Sequence, residues 1–318
     1  MLEDKDNFYC LNSITVDTYI IGYNPQGESI VNIIKSDGNS IFTFVIDSFK
    51  SDTSFITKEI LEKEKIKKLN MLCWSHPHVD HSKGIDILLD SFTDKNTEIW
   101  IPERSIELDE KVSDYSKSLF NKLLNESKSK NGVYKVYTIS DKKDMLYYQK
   151  LKRLKYRGID YQIEMNSLAP NSCNQLLFEK DNYFNINEES IVFYFSIGAT
   201  CFLFTGDSCN EEFDNIPEDA FPKIIYFNKI PHHGSLTSSS LLRLIKDKGN
   251  IACTTIYKSG KSTLPNSEII NQYKEKFDEI YNTCTKKDTT YDYGYIHIHT
   301  DVINKTYSVE TIGLASKL

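Results

Sequence analysis

The chain has 318 residues, of which 40% are hydrophobic, and a formal net charge of −7 at pH 7. These values are typical of a globular protein with a sizeable core, and they argue against a protein that binds nucleic acid through an overall basic surface. No stretch of about 18 to 20 apolar residues could span a membrane, and the acidic N-terminus differs from a signal peptide. We therefore expect a cytoplasmic protein with a single domain over residues 1–318.

The seven cysteines are scattered along the chain without a Cys-x-x-Cys pair. This spacing does not fit a zinc ribbon, and it predicts reduced, buried thiols rather than disulfides or metal ligands. The same packing role is expected for Cys209.

Short apolar stretches between residues 8 and 49 predict strands, with a hairpin turn at Asp37-Gly38-Asn39. The last of these strands ends at Asp47. Two interpretations of Asp47 remain open: it supports a metal site from behind, or it caps the next turn. Residues 55–69 have the spacing of an amphipathic helix that leads into a buried strand at 70–74.

Three histidines and an aspartate follow that strand within six positions, at His76, His78, Asp80 and His81. The whole chain contains only seven histidines, so this density favours a metal-binding loop over a solvated polar loop. His76 and His78 can project to one side of an extended segment, whereas Asp80 and His81 can reach a second point nearby. One loop at the carboxyl end of a strand can therefore hold two metals.

Residues 103–162 differ in character, with many lysines, serines and aspartates. Helical spacing between 115 and 124 and a short strand at 133–139 indicate a helical elaboration inserted into the domain. Its basic segment, Lys150 to Arg157, is interpreted either as a groove wall that contacts an anionic substrate or as an ordinary solvated helix or edge strand.

Two further polar positions follow apolar strands in the second half of the chain. A predicted hairpin of strands at 190–197 and 200–205 ends at Asp207. A strand at 223–230 leads into the loop His232-His233-Gly234-Ser235. Additional strands are expected at 251–257, 277–284 and 295–299.

The metal-binding loop, the strand that ends at Asp207 and the His-His-Gly-Ser loop, in this order, resemble the metallo-β-lactamase superfamily of binuclear metal hydrolases. The paired histidine before Gly-Ser is most similar to the hydrolase domain of ComEC-type competence proteins. The resemblance covers nearly the whole chain except residues 103–160. It implies an α/β fold, a four-layer αββα sandwich, here with the helical insertion at about 103–162.

The resemblance also implies the roles of the site residues. His76 and His78 would hold the first metal, Asp80 and His81 the second, Asp207 would bridge both, and His232 would complete the second. The metals would be two divalent ions, zinc with manganese or iron as alternatives, that share a hydroxide nucleophile. The expected catalytic residues are Asp80, through the ion that it holds, with His233 and Ser235, one of which would protonate the leaving group or bind a phosphate oxygen. A competing interpretation makes His233 the group that orients His232.

The resemblance favours hydrolysis of phosphodiester bonds, in nucleic acid, a cyclic nucleotide or a choline-phosphate ester. The acidic net charge favours a small or locally gripped phosphate-containing substrate over long DNA. Leu264, however, stands where a histidine that contacts substrate is expected. The alternative is a metal-stabilised binding or effector module with weak or no turnover, in which residues 103–162 engage a protein partner. His297 and His299 alternate along a strand and are expected to pack in the surface or core.

Overall fold

The computed structural model of the chain describes residues 7–10, 12–103, 112–128, 132–140, 153–171, 185–260, 262–288 and 290–318. The strands of these residues are β1 (Asn7–Cys10), β2 (Ile14–Tyr23), β3 (Glu28–Ser36), β4 (Asn39–Ile46), β5 (Met71–Cys73), β6 (Glu98–Pro102), β7 (Lys135–Ile139), β8 (Arg153–Tyr156), β9 (Ile159–Ala169), β10 (Val192–Ile197), β11 (Thr200–Phe204), β12 (Phe227–Lys229), β13 (Gly249–Thr254), β14 (Tyr257–Ser259), β15 (Ser262–Leu264), β16 (Phe277–Asn282), β17 (Tyr293–Asp301), β18 (Thr306–Gly313) and β19 (Ser316–Lys317).

The α-helices are α1 (Ile56–Lys63), α2 (Val79–Ser82), α3 (Ile85–Phe92), α4 (Asp114–Lys128), α5 (Asn210–Asn215), α6 (Leu241–Leu244) and α7 (Ser267–Lys276). Short 3-10 turns lie at Ile186–Glu189, His232–Gly234 and Leu236–Ser238. Within the described ranges, no helix combines the length and the apolar character needed to cross a membrane.

The strands form two large mixed sheets and one small hairpin. The first sheet has the order β18-β17-β2-β3-β4-β5-β6-β7, the second has the order β1-β8-β9-β10-β11-β12-β13-β16-β19, and β14 pairs with β15. Strands β4 to β7 are parallel in the first sheet, as are β11, β12, β13 and β16 in the second. Parallel neighbours end at the same edge of a sheet, so the polar residues that follow them are brought together.

Three buried clusters define four layers. Between the sheets, Phe44 packs against Phe195 and Phe204 with ring centroids 5.4 and 6.0 Å away. Helices α1, α3 and α4 cover the outer face of the first sheet, and α5, α6 and α7 cover that of the second. This order of helix, sheet, sheet and helix confirms the predicted αββα sandwich.

Strand β4 illustrates how the sequence specifies these layers. Phe42, Phe44 and Ile46 belong to the cluster between the sheets, whereas Val45 belongs to the outer cluster. Successive side chains of a strand point to opposite faces, so a strand covered on both sides needs apolar residues at consecutive positions. Full burial of each such side chain contributes about 1.5 to 3 kcal/mol.

The described part of the predicted insertion belongs to the main sheets. Helix α4 packs on the outer face of the first sheet through Leu119, Phe120 and Leu123, and β7 extends that sheet beside β6. Strand β8 lies between β1 and β9 in the second sheet. Residues 150–152 of the basic segment lie outside the described residues, and the division into one domain with an insertion stays a prediction.

Asp17 on β2 gathers three hydrogen-bond donors from neighbouring strands. His297 Nε2 and His299 Nδ1 each lie 2.8 Å from its Oδ1, and Lys35 Nζ lies 2.8 Å from its Oδ2. The residue is only 3% exposed. Burial raises the pKa of Asp17, but the hydrogen bonds of these partners outweigh it and hold the pKa well below its usual value. His297 and His299 therefore form hydrogen bonds with a buried carboxylate in the sheet.

We expect Asp17→Asn to lower the free energy of unfolding by about 1 to 3 kcal/mol at pH 7, because a buried charged acceptor is lost. The folded-state pKa is depressed, so the stabilisation is complete above the unfolded value near 3.8 and fades as the pH falls below it. Urea unfolding of both proteins at pH 7 and pH 3 measures the difference. A difference that does not shrink at pH 3 would contradict this assignment.

Candidate metal centre

Two of the predicted ligands precede α2 and two lie on it. The loop starts after Cys73, where β5 ends beside β4. The Ser82 hydroxyl donates to the His78 carbonyl oxygen at 2.5 Å and accepts from Trp74 Nε1 at 3.2 Å. These bonds close the single turn of α2 and fix the loop against the sheet.

One group of ligand atoms consists of His76, His78 and Asp207. His76 Nε2 lies 3.2 Å from His78 Nδ1 and 3.9 Å from Asp207 Oδ2. The three residues each offer one ligand atom within 4.8 Å of the others. Imidazole nitrogen and carboxylate oxygen are ligands that zinc accepts readily.

A second group contains Asp80, His81, His233 and again Asp207. His233 Nε2 lies 3.2 Å from Asp207 Oδ2 and 3.4 Å from Asp80 Oδ2. His81 Nε2 lies 3.6 Å from Asp207 Oδ2 and 3.7 Å from Asp80 Oδ2. Asp207 Oδ2 is therefore close to nitrogen atoms of both groups.

His232 and His233 point to different surroundings. His233 is 1% exposed and faces the aspartates, whereas half-buried His232 has its Nε2 3.1 Å from Asn187 Nδ2 and its Nδ1 3.0 Å from Thr237 Oγ1. The Ser235 hydroxyl also lies 2.9 Å from Thr237 Oγ1 and caps the following turn. Thus His233, rather than His232, lies with Asp80, His81 and Asp207.

A sharp backbone turn separates the two histidines. His232, His233 and Gly234 have φ values of 47°, 51° and 81° in succession, all in the left-handed region. A Cβ atom on Gly234 would lie 2.7 Å from Pro265 Cβ, so glycine is required there. The non-glycine residues are strained in this region, which is typical of functional sites.

Of the four histidines in the two ligand groups, three have an Nδ1 atom within hydrogen-bond distance of a protein oxygen. His81 Nδ1 lies 2.8 Å from Asp47 Oδ2, His76 Nδ1 lies 3.1 Å from Ser75 Oγ, and His233 Nδ1 lies 2.7 Å from Thr255 Oγ1. An imidazole that donates from Nδ1 keeps the lone pair on Nε2 for a metal. The Nε2 atoms of all three face the carboxylates described above.

The carboxylates govern protonation in the metal-free protein. Burial lowers the pKa of His233 and His81, but the charge of Asp207, with that of Asp80, outweighs it. The pKa of His233 consequently rises to about 9, and that of His81 lies well above its usual value. Burial and neighbouring His81 hold the pKa of His76 well below its usual value. A bound cation would replace the two protons as counter-charge for the aspartates.

The site fits a metal by its donor set and by its unsatisfied atoms. His81 Nε2, His233 Nε2 and Asp207 Oδ1 are buried and form no hydrogen bond of good geometry with the described residues. Buried polar atoms without partners are rare, and a ligated cation would satisfy them. The mixture of imidazole and carboxylate, without a thiolate, suits zinc, manganese or iron. Cys209 is buried, with its Sγ 3.7 Å from His232 Nδ1.

Asp47 supports the site from behind, as one of its two sequence interpretations anticipated. Its Oδ1 accepts from the Ser75 N–H at 2.6 Å, and its Oδ2 accepts from the Ser75 hydroxyl at 2.6 Å and from His81. The residue has a left-handed φ of 57° directly after β4. It thereby orients both His81 and, through Ser75, His76.

We expect Asp47→Asn to weaken metal binding by about 10- to 100-fold, because the histidines lose the acceptor that orients them. Competition with a chelating dye measures the affinity. Asp301→Asn is the matched control, since Asp301 caps the β17–β18 turn by accepting from Ile303 N, Asn304 N and Asn304 Nδ2. Unchanged affinity in Asp47→Asn would contradict the orienting role.

Leu264 lies on the small hairpin beside the second ligand group. It pairs with Tyr257, whose ring stacks on His233 with centroids 5.2 Å apart. The hairpin thus packs against His233 at the place where the sequence resemblance implied a histidine. Sequence patterns did not identify Tyr257, because a tyrosine in a short strand carries no specific signal.

The solved structures that are similar to this chain at low identity include the following three. A diphosphatase from the PhnP family is 13% identical over 74% of this chain and 85% of its own, with a TM-score of 0.38. An archaeal metallo-β-lactamase superfamily protein, ST1585 from Sulfolobus tokodaii, is 13% identical over 82% and 95%, with a TM-score of 0.36. Zn²⁺-bound PqqB from Methylobacterium extorquens is 11% identical over 64% and 61%, with a TM-score of 0.32.

No family model and no curated protein matches the chain.

Proposed function

We propose that this protein is a metal-dependent hydrolase of the metallo-β-lactamase type that uses two divalent ions. The observation that carries the proposal is the convergence of six side chains, with Asp207 Oδ2 lying 3.9 Å from His76 Nε2, 3.6 Å from His81 Nε2 and 3.2 Å from His233 Nε2. Buried histidines and aspartates are retained at such density where they hold a cation.

The proposed ligands are His76, His78 and Asp207 for one ion and Asp80, His81, His233 and Asp207 for the other. His233 takes the place that the sequence resemblance gave to His232. The short distances from His233 Nε2 to both aspartates support this choice, as does the Nδ1 bond that leaves its Nε2 available.

Two bound divalent ions would supply an activated water as nucleophile and positive charge for an anionic substrate oxygen. Asp207, Asp80 and the four histidines position those charges. His232 is half-buried and lies next to His233 in the chain. Its ring nitrogens contact Asn187 and Thr237. We assign to His232 the contact with the substrate that was expected of His233, in which one of its ring nitrogens exchanges its present partner, Asn187 or Thr237, for a substrate oxygen. The Ser235 hydroxyl instead supports Thr237.

Phosphodiesters are the proposed substrate class, in nucleic acid, a cyclic nucleotide or a choline-phosphate ester. Stabilisation of charge on the non-bridging oxygens is much of what their hydrolysis requires, and a cationic centre provides it. The net charge of −7 favours a small or locally gripped substrate. Zinc is the proposed metal, with manganese and iron as alternatives.

Turnover of bis-p-nitrophenyl phosphate by the purified, zinc-loaded chain tests the proposal. We expect activity that a chelator removes and zinc restores, and that His78→Ala abolishes. His299→Ala is the control, because His299 contacts Asp17 and lies outside the ligand groups. Two bound ions without turnover of phosphodiesters would favour the alternative of a binding module. The observation that supports this alternative is Leu264, which pairs with Tyr257 where the resemblance implied a histidine.

A further inference from the structure

On the Nδ1 side of His233 lies a buried polar group that the proposed ligand set does not use. It consists of Thr255, Glu28 and Lys229, which are 0%, 1% and 0% exposed. Thr255 follows β13, Lys229 ends β12 and Glu28 begins β3, so the group joins the two sheets. Buried charges are costly unless they are paired, and such groups call for an explanation.

The contacts form a continuous path from Lys229 to the metal centre. Lys229 Nζ lies 2.8 Å from Glu28 Oε2, and the same oxygen accepts from the Thr255 hydroxyl at 2.5 Å. Thr255 Oγ1 in turn lies 2.7 Å from His233 Nδ1. His233 Nε2, at the other end of the ring, faces Asp207 and Asp80.

The hydrogen count along this path fixes the tautomer of His233. A threonine hydroxyl has one hydrogen, and a carboxylate can only accept, so the hydrogen of Thr255 goes to Glu28. The hydroxyl then presents a lone pair to His233 Nδ1, which must donate. Neutral His233 therefore carries its proton on Nδ1, and its Nε2 lone pair points at the position between the aspartates.

The positive charge of Lys229 neutralises the negative charge of Glu28. Its ammonium group sits on the same Glu28 oxygen as Thr255 and also donates to the Ile230 carbonyl oxygen at 3.1 Å. Without Lys229, the negative charge of Glu28 would be buried near Asp80 and Asp207 with no counter-charge of its own. Removal of one partner from a buried pair is far more disruptive than removal of both.

We propose that Thr255 and Glu28 are positioning residues that hold His233 in the Nδ1–H tautomer, with Lys229 as their counter-charge, so that the second ion binds tightly. The inference rests on the proposed function, because it assumes that His233 is a ligand. Glu28 also lies near His81, Asp207 and His233 as one group of ligand-type atoms. Its Oε2, however, lies 3.7 Å from His233 Nδ1 and already accepts from two donors, Lys229 Nζ and Thr255 Oγ1.

Stepwise titration of metal-free protein with Co²⁺, followed by absorbance and by competition with a chelating dye, tests the inference. We expect Thr255→Val to weaken one of the two sites by about 10- to 100-fold and to leave the other unchanged, whereas Thr255→Ser retains both affinities. Thr200→Val is the matched control, because its buried hydroxyl only bonds the Ile197 carbonyl oxygen in the β10–β11 hairpin.

Equal affinities in wild type and Thr255→Val would overturn the inference while leaving two-ion binding by the wild type intact. A wild type with fewer than two sites would overturn the proposed function instead. Loss of one site in Glu28→Gln with no change in Thr255→Val would make Glu28 a ligand and also overturn the positioning role.

A spectroscopic readout keeps the test decisive if Thr255→Val does not fold. Nitrogen-15 chemical shifts of His233 in the zinc-loaded wild type report which ring nitrogen carries the proton. We expect a protonated Nδ1 and a metal-bound Nε2. A His233 with a proton on Nε2, or with its Nδ1 on the metal, would overturn the inference without any variant.

Discussion

Asp207→Asn is expected to leave the chain with at most one tightly bound ion and to lower kcat/KM by at least about 1,000-fold, or roughly 4 kcal/mol of barrier. The reason is the position of Asp207 Oδ2, which lies 3.2 to 3.9 Å from ligand nitrogens of both groups. An asparagine oxygen has no full charge to bridge two cations. Elemental analysis and phosphodiester turnover of the same preparation measure both effects.

Asp17→Asn provides the control for this result. Asp17 and Asp207 are equally buried, at 3% exposed, and both accept bonds from histidines or lie close to them. The control is expected to lose stability but to keep its metals and its turnover per folded molecule. Two ions and undiminished turnover in Asp207→Asn would contradict the bridging role.

His233→Ala and His232→Ala are expected to differ sharply. His233→Ala should lose about one ion per chain and essentially all turnover, because its Nε2 lies between Asp80 and Asp207. His232→Ala should keep both ions and lose about 10- to 100-fold in kcat/KM, as expected for one hydrogen bond to a charged substrate group. Metal content and steady-state kinetics separate the two variants.

The opposite pattern, an ion lost in His232→Ala and retained in His233→Ala, would restore the ligand assignment implied by the sequence resemblance. It would also require the His232–Gly234 turn to adopt another conformation. The left-handed φ values of 47° and 51° direct the two rings to different partners in the present structure.

The clustering of the polar side chains that follow β5 was predictable because its information is local. His76, His78, Asp80 and His81 fall within six positions after an apolar strand, and the structure brings them together at the end of β5. The layers were predictable for a similar reason: strands such as β4 are apolar at consecutive positions. The helix at α1 also followed from its periodic apolar residues, but it ends at Lys63 rather than at residue 69, because Lys65 has a left-handed φ of 58°.

The choice between His232 and His233 could not be made from the sequence. Adjacent residues have equal access to a site until the backbone conformation is known, and left-handed non-glycine residues carry no reliable sequence signal. Gly234 was a partial indication of an unusual turn. The reason that position 234 needs a glycine is the close approach of Pro265, which only the folded structure contains.

The path through Thr255, Glu28 and Lys229 was missed because its members lie far apart in the chain. Glu28 and Thr255 are 227 residues apart and meet only when the two sheets pack together. The same holds for Asp17 with His297 and His299, which are 280 and 282 residues away. Pairings of this range come from tertiary structure, and single-sequence patterns do not contain them.

Anomalous diffraction at the zinc edge, from crystals of the zinc-loaded chain, would show directly whether the six side chains hold two ions. We expect two peaks, one bound by His76, His78 and Asp207 and the other by Asp80, His81, His233 and Asp207. A single peak, or a second ion bound by His232 in place of His233, would contradict this expectation.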